Sequence, residues 1–67
     1  MEIGKSISDR RRQLGITQQD LAEMAEVGIA TIKDIERGKG NPSLKTLEKI
    51  CTVLGLVIHL DLKKIII

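Results

Sequence analysis

The stretch Thr17-Gln18-Gln19-Asp20-Leu21-Ala22-Glu23-Met24-Ala25-Glu26-Val27-Gly28-Ile29-Ala30-Thr31-Ile32-Lys33-Asp34-Ile35-Glu36-Arg37-Gly38 decides how this chain folds. Leu21, Ala22 and Ala25 recur at helical spacing, and Ile29, Ile32 and Ile35 begin a second helical pattern after a short gap. Thr17, with Asp20 three residues later, reads as a capping box with Asp in place of Glu. Gly38 closes the second pattern. The spacing predicts helices over about 17–25 and 28–37. The connection Glu26-Val27-Gly28 is so short that the two helices must meet at a tight corner, with Val27 plugging the gap between them.

Upstream, Ile3, Ile7 and Leu14 share one helical face with polar residues opposite, and Gly15 is a left-handed stop, which predicts a helix over about 3–14. Downstream, Gly38-Lys39-Gly40-Asn41-Pro42 is a loop by composition. Ser43 is then an N-cap, and Leu44, Leu47, Ile50, Cys51 and Leu54 carry a helix over about 43–54, ended by Gly55. From Leu56 the period becomes two: Leu56, Ile58, Leu60 and Leu62 point one way, against Val57, His59, Asp61 and Lys63. This predicts a strand over 56–62, the only one in the chain. A lone strand leaves its backbone groups unpaired, and the same strand of a second copy, antiparallel across a two-fold axis, is the simplest remedy. The tail Lys63 to Ile67 breaks the alternation; it extends the strand, contacts a partner or frays.

Sixty-seven residues hold one domain, spanning 1–67. A domain this small is marginal alone and usually gains a disulfide, a metal or a partner subunit. The single Cys51 cannot form an internal disulfide, and one His with one Cys is too few for a zinc site, so a homodimer is expected and no metal or cofactor. One unpaired cysteine without a signal peptide fits a cytoplasmic protein. No apolar run approaches membrane-spanning length, so no membrane partner is expected. The net charge is only +2 but is segregated. Arg10, Arg11 and Arg12 are consecutive, Arg37, Lys39, Lys45 and Lys49 face the single acid Glu48, and Asp20, Glu23 and Glu26 lie between these zones. Such stretches either present a positive face to phosphate or are ordinary solvated helix faces. With no Phe, Tyr or Trp, base stacking on single strands is poorly supported, whereas duplex DNA needs no aromatic platform. No nucleophile–base pair, paired carboxylates, phosphate loop or metal motif suggests an enzyme.

The segment from Ile7 to Leu60 resembles the XRE (lambda-repressor-like) helix-turn-helix family. The matching residues are Ile7, Arg11, Leu14-Gly15-Ile16-Thr17-Gln18, Leu21-Ala22, Ala25, Val27, Thr31-Ile32, Ile35-Glu36-Arg37-Gly38 and Asn41-Pro42-Ser43-Leu44. The resemblance implies a mainly α fold: a four-helix lambda-repressor-like DNA-binding domain with a helix-turn-helix, plus a C-terminal β-strand. The run Gly40-Asn41-Pro42-Ser43-Leu44 with Thr46-Leu47, then Gly55-Leu56 and a strand, looks like the HipB-type antitoxin branch. In that branch the strand pairs between subunits, the protein represses its own operon, and a HipA-type kinase toxin is a partner. Two residues depart from the family: Glu26 stands at the usual turn glycine, and Gly28 at the usual polar cap of the recognition helix, where glycine caps tolerably.

The third helix is expected to enter the major groove of double-stranded DNA. By resemblance Ile29, Ala30, Lys33 and Asp34 face the bases, and Ile32 and Ile35 the core. Lys33 can donate to guanine, Asp34 can accept from cytosine N4, and Ile29 or Ala30 can touch thymine methyls. The alternative for Ile29 is core packing or a dimer contact. Without Arg, Asn or Gln in this set, part of the specificity falls to DNA shape. Thr17, Gln18 and Thr31 are expected near phosphates, the anion being favoured at the start of helix 2; Gln18 is otherwise a plain surface residue. Arg10, Arg37 and Lys39 are phosphate contacts or solvated charges. Arg11 and Glu36 match a structural salt bridge of the family. Leu56, Ile58, Leu60 and Leu62 would serve dimerisation. Cys51 belongs to the core, and His59 to the surface or a cross-strand pair. These residues suggest a dimeric transcriptional repressor on a pseudo-palindromic operator; the alternative is a module whose main task is neutralising a toxin kinase.

Overall fold

A computed structural model describes residues 3–61 and 64–67. Four helices run α1 (Ile3–Gln13), α2 (Gln18–Ala25), α3 (Ile29–Glu36) and α4 (Leu44–Leu54), followed by strands β1 (His59–Asp61) and β2 (Lys64–Ile66). The residues expected to open helices 2, 3 and 4 sit just outside them as N-caps: Thr17, Gly28 and Ser43. The Thr17 hydroxyl accepts from the Asp20 N–H at 3.0 Å, and the Asp20 carboxylate accepts from the Thr17 N–H at 2.9 Å. The reciprocal box supplies two orphan donors of a helix start. Ser43 accepts from the Thr46 N–H at 3.1 Å, while Gly28 offers no side chain.

All four helices close in one way. The residue after the left-handed position donates to a carbonyl five residues back: Ile16 to Arg11, Val27 to Ala22, Lys39 to Asp34 and Leu56 to Cys51, at 3.3, 3.0, 2.8 and 2.9 Å. This is the Schellman closure, which needs φ near +60° at the preceding residue. Gly15, Gly38 and Gly55 provide it in three cases, and Glu26 (φ 57°) in the fourth.

The core is made of Ile7 from α1, Leu21, Ala22 and Ala25 from α2, Ile32 and Ile35 from α3, and Leu47, Ile50 and Leu54 from α4. Cys51 is buried beside them, and burial pushes its thiol pKa up. Leu14 does not join the core as expected: it lies past the end of α1 and is 43% exposed. The chain has already turned at Gly15, so Ile16 packs against the core instead. A feature the pattern did not expose is Gly4. A Cβ there would lie 2.1 Å from the Ile35 carbonyl oxygen, so α1 and α3 approach backbone to backbone.

The expectation of a single strand over 56–62 is corrected. Leu56 is still part of the α4 closure through its bond to Cys51, and regular strand begins only at His59. Leu56 and Ile58 do turn inward to pack on the helical core, with Val57 exposed between them. The strand is also not alone. The terminal isoleucine run supplies β2, antiparallel to β1, with His59 opposite Ile66, Leu60 opposite Ile65 and Asp61 opposite Lys64. β2 follows β1 closely in the chain, so bringing the two together costs little entropy, and β2 fills one edge of β1 without a second copy. Leu62 lies outside the described residues, as does the side chain of Leu60.

Candidate nucleic-acid interface

A buried polar knot ties the start of α2 to the end of α3 and both to α1. Arg11 on α1 grips Glu36 at the end of α3 in a fork, Nε to Oε2 at 2.7 Å and Nη2 to Oε1 at 3.0 Å. Its remaining arm, Nη1, donates to the Ile16 carbonyl at 2.9 Å. The Gln18 amide donates to Glu36 Oε1 at 3.1 Å. The Arg11 and Glu36 side chains are only 11% and 6% exposed. The hydrogen bond to Glu36 raises the Arg11 pKa further. A bidentate pair this deep is worth little over a hydrophobic pair of equal size, but it is costly to break from one side. It therefore specifies geometry: four points of the chain meet at one carboxylate and one guanidinium. The family resemblance implies the Arg11–Glu36 pair; for Gln18 a phosphate contact or a plain surface position is the expectation. Here its amide nitrogen is committed to Glu36, with its second N–H left for another acceptor.

On α3, Ile32 and Ile35 point into the core while Ala30, Lys33 and Arg37 are exposed. Thr31 and Asp34 are half-buried on the flank of that outer face. Ile29 is divided: it packs partly against the core, so only its outer edge remains for a ligand. Arg37 donates from Nη2 to the Asp34 carboxylate. Lys39 is exposed on the loop after α3. Thr31, Asp34, Lys39 and Asn41 share a hollow of about 160 Å³ between α3 and that loop. Asn41 matches the family and lies in the loop, and nothing in its local pattern marks it as lining this face.

Arg10 is used elsewhere. Its Nε donates to the Leu54 carbonyl at 2.9 Å and its Nη1 to Gln13 at 3.3 Å. It thus satisfies an orphan carbonyl at the end of α4 and ties α1 to α4, a structural task that its charge alone does not announce. At the start of α2 the capping box takes the Asp20 N–H, so the N–H groups of Gln18 and Gln19 face outward at the positive end of the helix. Hydrogen bonds from Thr17 hold the Asp20 carboxyl below the usual carboxylate range.

Two short helices locked at a corner, the second with a polar outer face, define a helix-turn-helix unit. Residues 7–57 match the Helix-turn-helix family, and the chain belongs to it. It is similar to the HTH-type transcriptional regulator SinR of Bacillus subtilis (strain 168), with 38% identity over 58 residues, 85% of this chain and 52% of SinR. The immunity repressor protein of Bacillus phage phi105 is 41% identical over 56 residues, 84% of this chain and 39% of the repressor. The HTH-type transcriptional regulator DdrOP3 of Deinococcus deserti is 30% identical over 59 residues, 88% of this chain and 46% of the regulator. Among solved structures, the N-terminal DNA binding domain of SinR from Bacillus subtilis is similar at a TM-score of 0.77 and 38% identity, covering 82% of this chain and 81% of that one. The chain spans about half or less of the length of these curated relatives. By name they are regulators and a repressor rather than antitoxins.

Proposed function

We propose that the chain binds duplex DNA through α3 and acts as a transcriptional regulator, by class a repressor. One observation carries this: the outer face of α3 is exposed and polar, and the Arg11–Glu36–Gln18 knot holds it rigidly against α2. Ala30, Lys33, Asp34 and the free edge of Ile29 read bases. Thr17, Gln18, Thr31, Arg37 and Lys39 meet phosphates, the first two beside the open N–H groups of α2. Selection of bound sequences from a random duplex library, followed by titration over a range of salt, tests this proposal. An enriched pseudo-palindrome and a linear fall of log affinity with log salt are expected; no enrichment, and no binding at the lowest salt, refute it.

Self-association is part of the proposal. Val57, Ile66 and Met24 are exposed; Met24 and Val53 line one shallow hollow, and Leu56, Val57 and Ile58 another. Exposed apolar side chains on so small a domain favour a second copy, and two-fold symmetry sets half-sites about one helical turn apart. Pairing of C-terminal strands, with Leu60 and Leu62 contributing, would use the edge of β1 or β2 left open by the hairpin. Light scattering on a chain cut after Gly55 tests it; an unchanged dimer contradicts it. The narrower antitoxin role rests on the Gly40–Leu47 run with the Gly55-Leu56 pair and the strand that follow it, and copurification with a HipA-type kinase tests it.

A further inference from the structure

Asp34 on α3 and Arg37, the residue that caps its end, lie one turn apart and form an ion pair on the outer face. Both side chains meet water, 43% exposed for Asp34 and 61% for Arg37. The backbone of Asp34 is held: its carbonyl accepts the Lys39 N–H at 2.8 Å, and a Cβ on Gly40 would lie 3.5 Å from its own Cβ. Its carboxylate therefore moves by side-chain rotation alone. Asp34 cancels one of the two charges, Lys33 and Arg37, that α3 presents outward. It is also the one acid on that face, at a helix meant to lie between rows of phosphates. In the major groove a carboxylate finds its base partner in an edge amine, cytosine N4 or adenine N6.

We propose that the Asp34–Arg37 pair is a specificity gate. On the wrong sequence Asp34 keeps Arg37 neutralised. On the right one a base-edge amino group takes the Asp34 carboxylate and releases Arg37 to a phosphate. The gate rests on the DNA-binding function proposed above. Magnitudes permit it: an exposed pair holds its partners by no more than about fivefold. A good base contact discriminates by roughly five- to 150-fold. The correct base thus opens the pair, and phosphate on a wrong site, opposed by the Asp34 charge, does not.

The test is a double-mutant cycle on the whole chain, with Asp34→Asn, Arg37→Gln and both together. Anisotropy titrations over salt use a duplex selected by the wild-type protein and a scrambled duplex of equal length. On the scrambled duplex R37Q should leave the wild-type salt slope unchanged but lower the D34N slope by about 0.9. On the selected duplex R37Q should lower the wild-type slope by about the same amount. D34N should reduce the ratio of selected to scrambled affinity about fivefold. Equal effects of R37Q with and without Asp34 on the scrambled duplex, or an unchanged ratio in D34N, overturn the gate. Thermal melts verify folding, and Asp34→Ala replaces D34N if the latter does not fold. A wild-type chain that binds no duplex at low salt overturns the DNA-binding function and the gate together. Binding with additive mutations overturns the gate alone.

Discussion

Glu26 closes α2 in a conformation that glycine adopts at the ends of the other three helices, and replacing it should stabilise the protein. A residue with a Cβ held at φ 57° is strained by roughly 1–2 kcal/mol. Glycine returns roughly 0.5–1 kcal/mol of that through its greater freedom in the unfolded chain. The Glu26 charge also sits against the negative end of the α2 dipole, and its removal adds a few tenths of a kcal/mol, about 0.3. The net expectation for Glu26→Gly is a gain of about 1 kcal/mol. For a domain this size that corresponds to a rise in Tm of about 4–8 °C. Thermal unfolding followed by circular dichroism reads it directly. Glu26→Gln separates the two causes, because it removes the charge and keeps the strained backbone; it should deliver only the smaller part. Glu26→Ala, which keeps the strain as well, should not match Gly. If the glycine variant melts at or below the wild-type temperature, the backbone reasoning is refuted. If Gln equals Gly, charge and not conformation is the cause.

Gly4→Ala should cost about 2 kcal/mol, since overpacking against an immovable backbone outweighs the gain in helix propensity of about 1 kcal/mol; a melt no lower than wild type would mean that α1 and α3 can part freely. Arg11→Ala strands the buried Glu36 carboxylate, a loss of about 3–5 kcal/mol. That is comparable to the whole stability expected of so small a domain, about 3–10 kcal/mol, so the variant should be largely unfolded by denaturant titration at room temperature. Arg11→Lys, one point charge in place of a fork, should recover only part. On acidification, the lowered Asp20 pKa makes its carboxylate more favourable folded than unfolded. That stabilisation is complete above the ordinary value of 3.8 and disappears as pH falls through the lower folded value. Asp20→Asn should therefore flatten the acid limb of the Tm profile, and an identical limb in both proteins would contradict the capping box. Lys33→Ala should change discrimination among operator variants in binding titrations; uniform weakening of every duplex would make it a phosphate contact instead.

Much of this was legible because it is local. Thr17 with Asp20, Ser43, the isoleucines at 29, 32 and 35, and the inward Leu56 and Ile58 follow from spacing along one helix or one extended segment. Glu26 could be marked as an odd turn residue before its φ was known. Arg10 illustrates the opposite limit. Its charge suggested phosphate, yet its partner is the Leu54 carbonyl, 44 residues away, and no pattern near Arg10 announces it. Leu14 had the right period for the core but fell beyond the turn, where period no longer governs direction.

By itself, then, the order of residues determined the four helices, their caps and the buried stripe of each, because those depend on backbone hydrogen bonds and hydrophobic spacing within a dozen residues. Only the tertiary structure decided that Gln18 would share Glu36 with Arg11, that Gly4 would let α1 touch α3, and that the final isoleucines would fold back on β1. Each of these is a choice among several partners of suitable chemistry. Proximity in the folded chain, not residue type, makes the selection.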